Sequence, residues 1–164
     1  MLTQARLKEL LHYNPDTGQF TWRHDCGLPR VAGKFAGYVN DQGYVVVKTS
    51  GQGHGAHRLA WLYTRGCWPS HYIDHIDGCR SDNRMTNLRE ATHGQNISNS
   101  PRPSHNTSGF KGVSKLDRRA PSWRATIIHN KRQVYLGTFD TPEKAHKAYC
   151  TAADKYHKEF ANHG

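Results

Sequence analysis

The apolar and polar positions divide this chain into short elements of both helical and strand period. Over residues 2–13, Leu7, Leu10 and Leu11 recur at helical spacing. They predict a short amphipathic helix stopped at Asn14-Pro15, because the residue before a proline avoids helical backbone. Residues 15–18 (Pro15, Asp16, Thr17, Gly18) read as a turn into a strand at 19–22. Tyr38-Val39, the polar turn 40–43 and the Val-rich run 44–48 then predict a hairpin. The glycine-rich stretch 50–55 predicts another turn, leading into a helix over 56–65. That helix is apolar nearly all round (Leu59, Ala60, Trp61, Leu62, Tyr63), so most of it is expected to be buried, with Gly66 and Pro69 ending it.

The pattern changes after residue 100. Residues 101–108 hold Pro101 and Pro103, many small polar side chains and no apolar anchor, which predicts a linker. Three strand-like runs follow, at 110–115, 123–128 and 133–139, with Asn130-Lys131-Arg132 at the second turn. Thr141 can cap a helix that has Pro142 in its first turn. Its stripe of Ala145, Ala148, Tyr149, Ala152, Ala153 and Tyr156 has helical period. The expected fold is therefore α+β: N-terminal antiparallel hairpins over 1–55, a chemically rich segment over 56–100, the linker, and a three-stranded sheet with one helix over 109–164.

Composition narrows the function. The chain has 164 residues with 35% hydrophobic content, so several small cores are expected rather than one large one. The net charge of +10 favours a polyanionic partner. Residues 1–108 carry 12 basic and 8 acidic side chains, whereas 109–164 carry 11 and 5, so the last third is the more basic. Cys26, Cys67, Cys79 and Cys150 form no CxxC pair, which argues against a structural zinc and suits reduced thiols in a cytoplasm. No signal peptide or membrane-length apolar run stands out, so no membrane partner is expected.

The candidate chemistry lies in Tyr72-Ile73-Asp74-His75-Ile76-Asp77-Gly78, followed by Asn87-Leu88 and Gln95-Asn96. Alone, each of these side chains is most simply a solvated polar group. Together they supply what phosphodiester hydrolysis needs. Histidine, with a pKa of about 6.5, can activate water near neutral pH. Asp74 and the Asn96 amide oxygen are hard donors for one divalent cation, Mg²⁺ or Mn²⁺. A regular strand would point Asp74 and His75 to opposite faces, so both can serve one site only at a strand end or distortion. A helix starting near Leu88-Arg89 would bring Asn96 back over His75.

With these residues in place, segment 57–99 resembles the HNH (His-Me finger) homing endonucleases, in the phage-type branch whose last motif residue is Asn. The resemblance rests on Asp74, His75, Asn87-Leu88 and Asn96, with His57-Arg58-Leu59-Ala60-Trp61 upstream. It implies a ββα-metal finger in which His75 is the general base, Asp74 and Asn96 hold the metal, and Asn87 pins the loop and orients the histidine. His93, one turn before Asn96, is the alternative final ligand. His57 and Trp61 are read as packing residues, and Arg58 as a possible phosphate contact.

Residues 109–163 resemble the DNA-binding domain of plant ethylene-response factors, on Gly109-Phe110-Lys111-Gly112-Val113, Trp123-Arg124-Ala125-Thr126-Ile127 and Tyr135-Leu136-Gly137-Thr138-Phe139. This implies a sheet lying in the DNA major groove. The residues themselves agree, since Lys111, Lys115, Arg118, Arg119, Arg124, Lys131 and Arg132 interleave with Trp123 and Tyr135. Ser114, Thr126, Ile128 and Gln133 depart from the plant pattern, so its target sequence is not carried over. The expectation is a metal-dependent, site-recognising endonuclease of double-stranded DNA, a monomer or a DNA-bound dimer. The main rival is a non-catalytic DNA-binding regulator with a decayed nuclease core. An RNA-directed protein is the weaker third reading, because A-form RNA lacks a groove wide enough for the sheet.

Overall fold

A computed structural model of the chain describes residues 1–25, 27, 30–117 and 122–164. It separates into two compact units, Met1–Ala91 and Thr92–Gly164.

The first unit begins with helix α1 (Gln4–Leu10), whose N-terminus is capped by the Thr3 hydroxyl accepting from the Arg6 amide at 3.2 Å. The helix is shorter than its periodicity predicts. Residues 11–14 leave it as strand β1 (Leu11–Asn14), paired antiparallel with β2 (Gln19–Trp22) in the register Leu11↔Trp22 and Tyr13↔Phe20. Leu11 and Tyr13 are both buried with His12 exposed between them. Burying them on one face requires a period of two, and that packing overrides the helical spacing.

Strands β3 (Tyr38–Val39), β4 (Val45–Thr49) and β5 (Gln52–Gly55) form a three-stranded antiparallel sheet. The expected turn over 50–55 contracts to Ser50-Gly51, both at positive φ (49° and 79°), which is what a tight hairpin turn demands. Residues 52–55 then add a strand to the sheet. Helix α2 (Ala56–Arg65) lies where the pattern predicts, but it buries one face (Ala56, Leu59, Ala60, Leu62) while Trp61 and Tyr63 are only half-buried. Gly66, in left-handed backbone, ends it, donating its amide to the Leu62 carbonyl at 3.0 Å.

Strand β6 (Tyr72–His75) pairs antiparallel with β7 (Leu88–Ala91), aligning Asp74 with Arg89 and His75 with Leu88. A single 3₁₀ turn, Met85–Asn87, leads into β7. The helix expected to start at Leu88-Arg89 is therefore a strand here, because Leu88 and Ala91 bury against the core in an extended chain. One cluster of buried side chains, including Leu7, Leu11, Phe20, Val47, Leu59 and Ile73, ties these elements together.

Gly18 is needed at the turn before β2. Its φ is +70°, and a Cβ there would sit 2.5 Å from the Arg84 amide nitrogen and 2.6 Å from the Asn83 carbonyl carbon. The first hairpin thus presses on the backbone of residues 83–84.

The second unit starts with helix α3 (His93–Ser98), held by a capping box between Thr92 and Gln95. Strands β8 (Val113–Asp117), β9 (Ser122–His129) and β10 (Arg132–Phe139) form an antiparallel sheet with β9 in the middle. Helix α4 (Pro142–His157) packs on one face, with Tyr149, Ala152 and Ala153 against Ile127, and Ala145 beside Val113 and Ala125. Its cap is the expected one: the Thr141 hydroxyl accepts from the Lys144 amide, with Pro142 in the first turn. Residues 101–108, read as a linker, fall within this unit. The Asn106 amide donates to the Phe110 carbonyl at 2.9 Å, and the Ser108 hydroxyl donates to the Val113 carbonyl at 2.9 Å. Among the described residues, no helix is long and apolar enough to cross a membrane.

Candidate active site

His75 is the last residue of β6, so the strand-end condition on Asp74 and His75 is met. Both side chains are nearly buried, 5% exposed for Asp74 and 4% for His75. Asp74 faces Arg89 across the β6–β7 pair: its Oδ2 accepts from Arg89 Nε at 2.9 Å and lies 2.8 Å from an Arg89 terminal nitrogen in an ion pair. This charge-assisted ion pair offsets the cost of burying the carboxylate. Sequence reasoning missed Arg89; the signal was its position opposite Asp74, legible only once the strand register was known.

The His75 ring packs edge-on to His57 (centroids 5.3 Å apart, 70° between planes) and lies 5.9 Å from the Tyr44 ring. Burial pushes the His75 pKa below its ordinary value, against the opposing pull of Asn83 and nearby carboxylates. His57 is pushed down to about 4, first by burial and then by His75 and Arg58. Both imidazoles are therefore neutral at pH 7, and a neutral imidazole is the form that can accept a proton.

The loop after β6 is organised by Asn87. Its Oδ1 accepts from the Asp77 amide at 3.1 Å, while its Nδ2 donates to the Asp77 carboxylate at 2.8 Å and to the Asp82 carbonyl at 3.1 Å. One buried amide thus ties both ends of loop 77–82 together. Asp77 also accepts from the Cys79 amide, and Arg84 clamps Asp82, whose pKa is lowered chiefly by that hydrogen bond. Asn83 is 1% exposed and brings its Oδ1 to 3.4 Å from His75 Nε2. Asn83, too, was missed, since a lone amide in a polar loop carries no periodic signal.

Arg58 does not extend freely to solvent: it is half-buried, with its guanidinium 5.8 Å from the centre of the Trp68 ring. His93 and Asn96 both lie on α3, three residues apart and hence on adjoining parts of one helical face. His93 is exposed and Asn96 half-buried. Gln95, beside Asn96, is occupied by the cap, its Oε1 accepting from the Thr92 amide at 2.8 Å.

In the C-terminal sheet, register sorts the expected DNA-facing residues. Arg124 pairs with Thr138 and Tyr135 with Thr126, placing these side chains on the face away from α4. With Leu116 and Gln133 they line a shallow depression of about 310 Å³. Trp123 turns the other way, into the core beneath α4, with the Lys115 ammonium 5.8 Å from its ring centre. The two aromatics expected to share a face therefore part, because Trp123 and Arg124 are strand neighbours. Lys131 and Arg132 are exposed at the hairpin turn, where Asn130 and Lys131 both have positive φ.

Lys111 departs from its expected place among the DNA-facing cations. Its ammonium donates to the Ser98 carbonyl at 2.8 Å and the Ser100 carbonyl at 2.5 Å, and burial lowers its pKa to about 8. It anchors the carbonyl end of α3. Arg118 and Arg119 lie outside the described residues.

A divalent cation can be tested against these donors. Among the described residues no three His, Cys, Asp or Glu side chains gather as a metal-binding group. Asp74 is the buried hard donor, held at Oδ2 by Arg89. A carboxylate has about four lone-pair sites. One or two protein oxygens completed by water and phosphate is the usual coordination of Mg²⁺. The donor chemistry fits such an ion.

Strand β6 thus ends in a buried aspartate–histidine pair next to an amide-pinned loop. The HNH endonuclease family model matches residues 54–97, which span α2, the β6–β7 pair and most of α3. An uncharacterized HNH endonuclease of Acanthamoeba polyphaga mimivirus is 31% identical over 133 residues, covering 80% of this chain and 67% of that protein. Protein 3.8 of Escherichia phage T7 is 35% identical over 106 residues, covering 64% of this chain and 86% of that protein. A solved structure of the HNH homing endonuclease I-HmuI, described as showing DNA binding and cleavage, covers 90% of this chain at 17% identity and a TM-score of 0.41. The chain belongs to the HNH endonuclease family.

Proposed function

We propose that the protein is a DNA endonuclease that hydrolyses phosphodiester bonds of double-stranded DNA with one divalent cation, in the manner of site-recognising homing enzymes. The observation that carries this reading is the buried, neutral His75 at the end of β6, next to Asp74 and held above the loop that Asn87 closes. His75 accepts a proton from water as the water attacks phosphorus in line. Asn87 holds the loop so that the histidine keeps its place through the reaction. Arg89 holds Asp74 in position and balances its charge. A bound Mg²⁺ or Mn²⁺ would supply charge stabilisation at the scissile phosphate and the leaving 3′ oxygen. Asp74 would hold it, and the family pattern, carried over position by position, adds Asn96.

The C-terminal sheet is proposed to hold the DNA, with Arg124 and Tyr135 on its open face and Lys131 and Arg132 at its turn. The plant-type likeness of residues 109–163 supports this role, as does the basic charge of that third of the chain. Lys115, Arg58, Arg118 and Arg119 remain proposed phosphate contacts; Lys111 is left out because its ammonium is spent on carbonyls. A monomer would nick, and a DNA-bound dimer would cut both strands.

The test is direct. Supercoiled plasmid is incubated with the protein and Mg²⁺ or Mn²⁺, with EDTA and the His75→Ala variant as controls. Relaxed or linear product that needs both the metal and His75 supports the nuclease. Retarded plasmid without any cleavage at high enzyme supports the regulator instead.

A further inference from the structure

We propose that the outer face of helix α2 is a contact for the DNA backbone: Arg58 and Arg65, each stacked on a tryptophan, hold two phosphates of one strand. The proposal deepens the nuclease reading and rests on it for the identity of the partner.

Helix α2 buries Ala56, Leu59, Ala60 and Leu62. At about 100° per residue, Arg58, Trp61 and Arg65 share the opposite side of the helix. A helix face turned to water normally carries small charged and polar residues. This one carries two arginines and a half-buried tryptophan, and no acidic residue lies between Asp41 and Asp74 in the sequence.

Both guanidiniums are ordered by rings rather than by carboxylates. Arg65 lies 5.4 Å from the Trp61 ring centre, and Arg58 lies 5.8 Å from that of Trp68. The Trp68 indole is itself pinned, its Nε1 donating to the Leu2 carbonyl at 3.0 Å, with the His54 ring 5.6 Å away. Neither arginine enters an ion pair among the described residues. Stacking uses the face of the guanidinium plane and leaves its N–H edge for acceptors. The side chains are thus held before a ligand arrives, which lowers the ordering entropy of a contact. Phosphate, which takes an arginine fork bidentately, is the matching acceptor.

Spacing and place both favour DNA over an acidic protein. Seven residues of helix span about 10.5 Å, close to three phosphate steps of about 3.4 Å along one strand. Arg58 follows His57, whose ring lies 5.3 Å from that of His75. The stripe therefore begins next to the proposed general base and extends two turns along α2.

Binding in EDTA tests this face without any cleavage. Gel-shift titrations of a mixed-sequence duplex at several salt concentrations compare the wild type with Arg58→Gln/Arg65→Gln. The double variant should have a log–log salt slope shallower by about 2, one for each phosphate lost. Trp61→Leu keeps both charges, so it should keep the slope and bind about threefold more weakly. Lys8→Gln removes a cation stacked on Tyr63, off this stripe, and should leave the slope unchanged. If the double variant does not fold, phenylglyoxal labelling of the wild type decides: duplex DNA should protect Arg58 and Arg65. An unchanged slope in the folded double variant, an equal effect per charge in Lys8→Gln, or equal labelling with and without DNA overturns the proposal. Protection by polyglutamate but not by DNA overturns it too, and gives the face to an acidic protein. A slope that depends on both arginines, in a protein that never cuts plasmid with Mg²⁺ or Mn²⁺, would sink the nuclease reading and leave this contact standing.

Discussion

Asp74 and Arg89 face each other across the β6–β7 pair, joined through one carboxylate oxygen at 2.8 and 2.9 Å, and both side chains are at most 16% exposed. A buried ion pair of this kind adds little over a well-packed apolar pair, but removing one member leaves a charge without its partner. Arg89→Leu is expected to lower the stability of the first unit by about 3 kcal/mol, read as a lower urea midpoint with an unchanged slope. Asp74→Leu combined with Arg89→Leu should recover much of that loss while abolishing cleavage. A single Arg89 variant as stable as the wild type would show that the pair is not what holds the carboxylate.

Asn87 ties loop 77–82 with three hydrogen bonds from one amide. Asn87→Ala removes them together and should cost about 2–3 kcal/mol. Hydrogen exchange should quicken at the Asp77 amide and its neighbours, while the amides of α1 and β4 keep their protection. Asn87→Asp loses the two donated bonds but keeps the accepted one, and should fall between the two.

Acid should destabilise the first unit through buried His75 and half-buried His57. His57 titrates at about 4 in the folded protein, and His75 is lowered too, both chiefly by burial. The unfolded chain, with histidines at about 6.5, therefore takes up protons that the folded one refuses. Stability is whole above pH 7 and declines as pH falls through 6.5 towards 4. The His57 contribution amounts to at most about 3 kcal/mol. Urea melts at pH 7.5 and 5.0 should show the loss in the wild type and a smaller one in His57→Gln. Equal losses in the two proteins would place the effect elsewhere.

DNA affinity should separate the two faces of the C-terminal sheet. Arg124→Ala and Tyr135→Ala, on the face away from α4, are expected to weaken binding, the arginine with a log–log salt slope shallower by about 1. Lys111→Met should leave the salt slope unchanged, because its ammonium bonds the Ser98 and Ser100 carbonyls, and should lower the melting temperature instead. Gel-shift titrations in EDTA at several salt concentrations, alongside thermal melts, test both statements.

Much of this organisation is legible in the residues themselves. Strands 19–22 and 38–48, the α2 span and the Thr141-capped helix follow from local periodicity, turn chemistry and capping, which depend on neighbours within a few positions. The ordered set Asp74, His75, Asn87 and Asn96 stands out in the sequence for the same reason: it is a pattern of types at short offsets. What periodicity misassigned were short segments with two admissible readings. Residues 11–14 continue a helical spacing, yet they become β1 because Trp22 and Phe20 offer a strand partner. Residues 88–91 look able to start a helix, yet they pair with β6.

The chain's own order of residues thus determined the elements, the basic C-terminal third and the chemistry at positions 74 and 75, because each rests on near neighbours or on simple counts. Only the tertiary structure decided which groups serve that chemistry. Arg89 reaches Asp74 through strand register, and Lys111 turns inward to the end of α3. Asn83 reaches His75 because Tyr13, 70 residues away in sequence, bonds its carbonyl. Such pairings depend on burial and register, and no local pattern of residue types encodes which distant side chain will fill a given buried hydrogen bond.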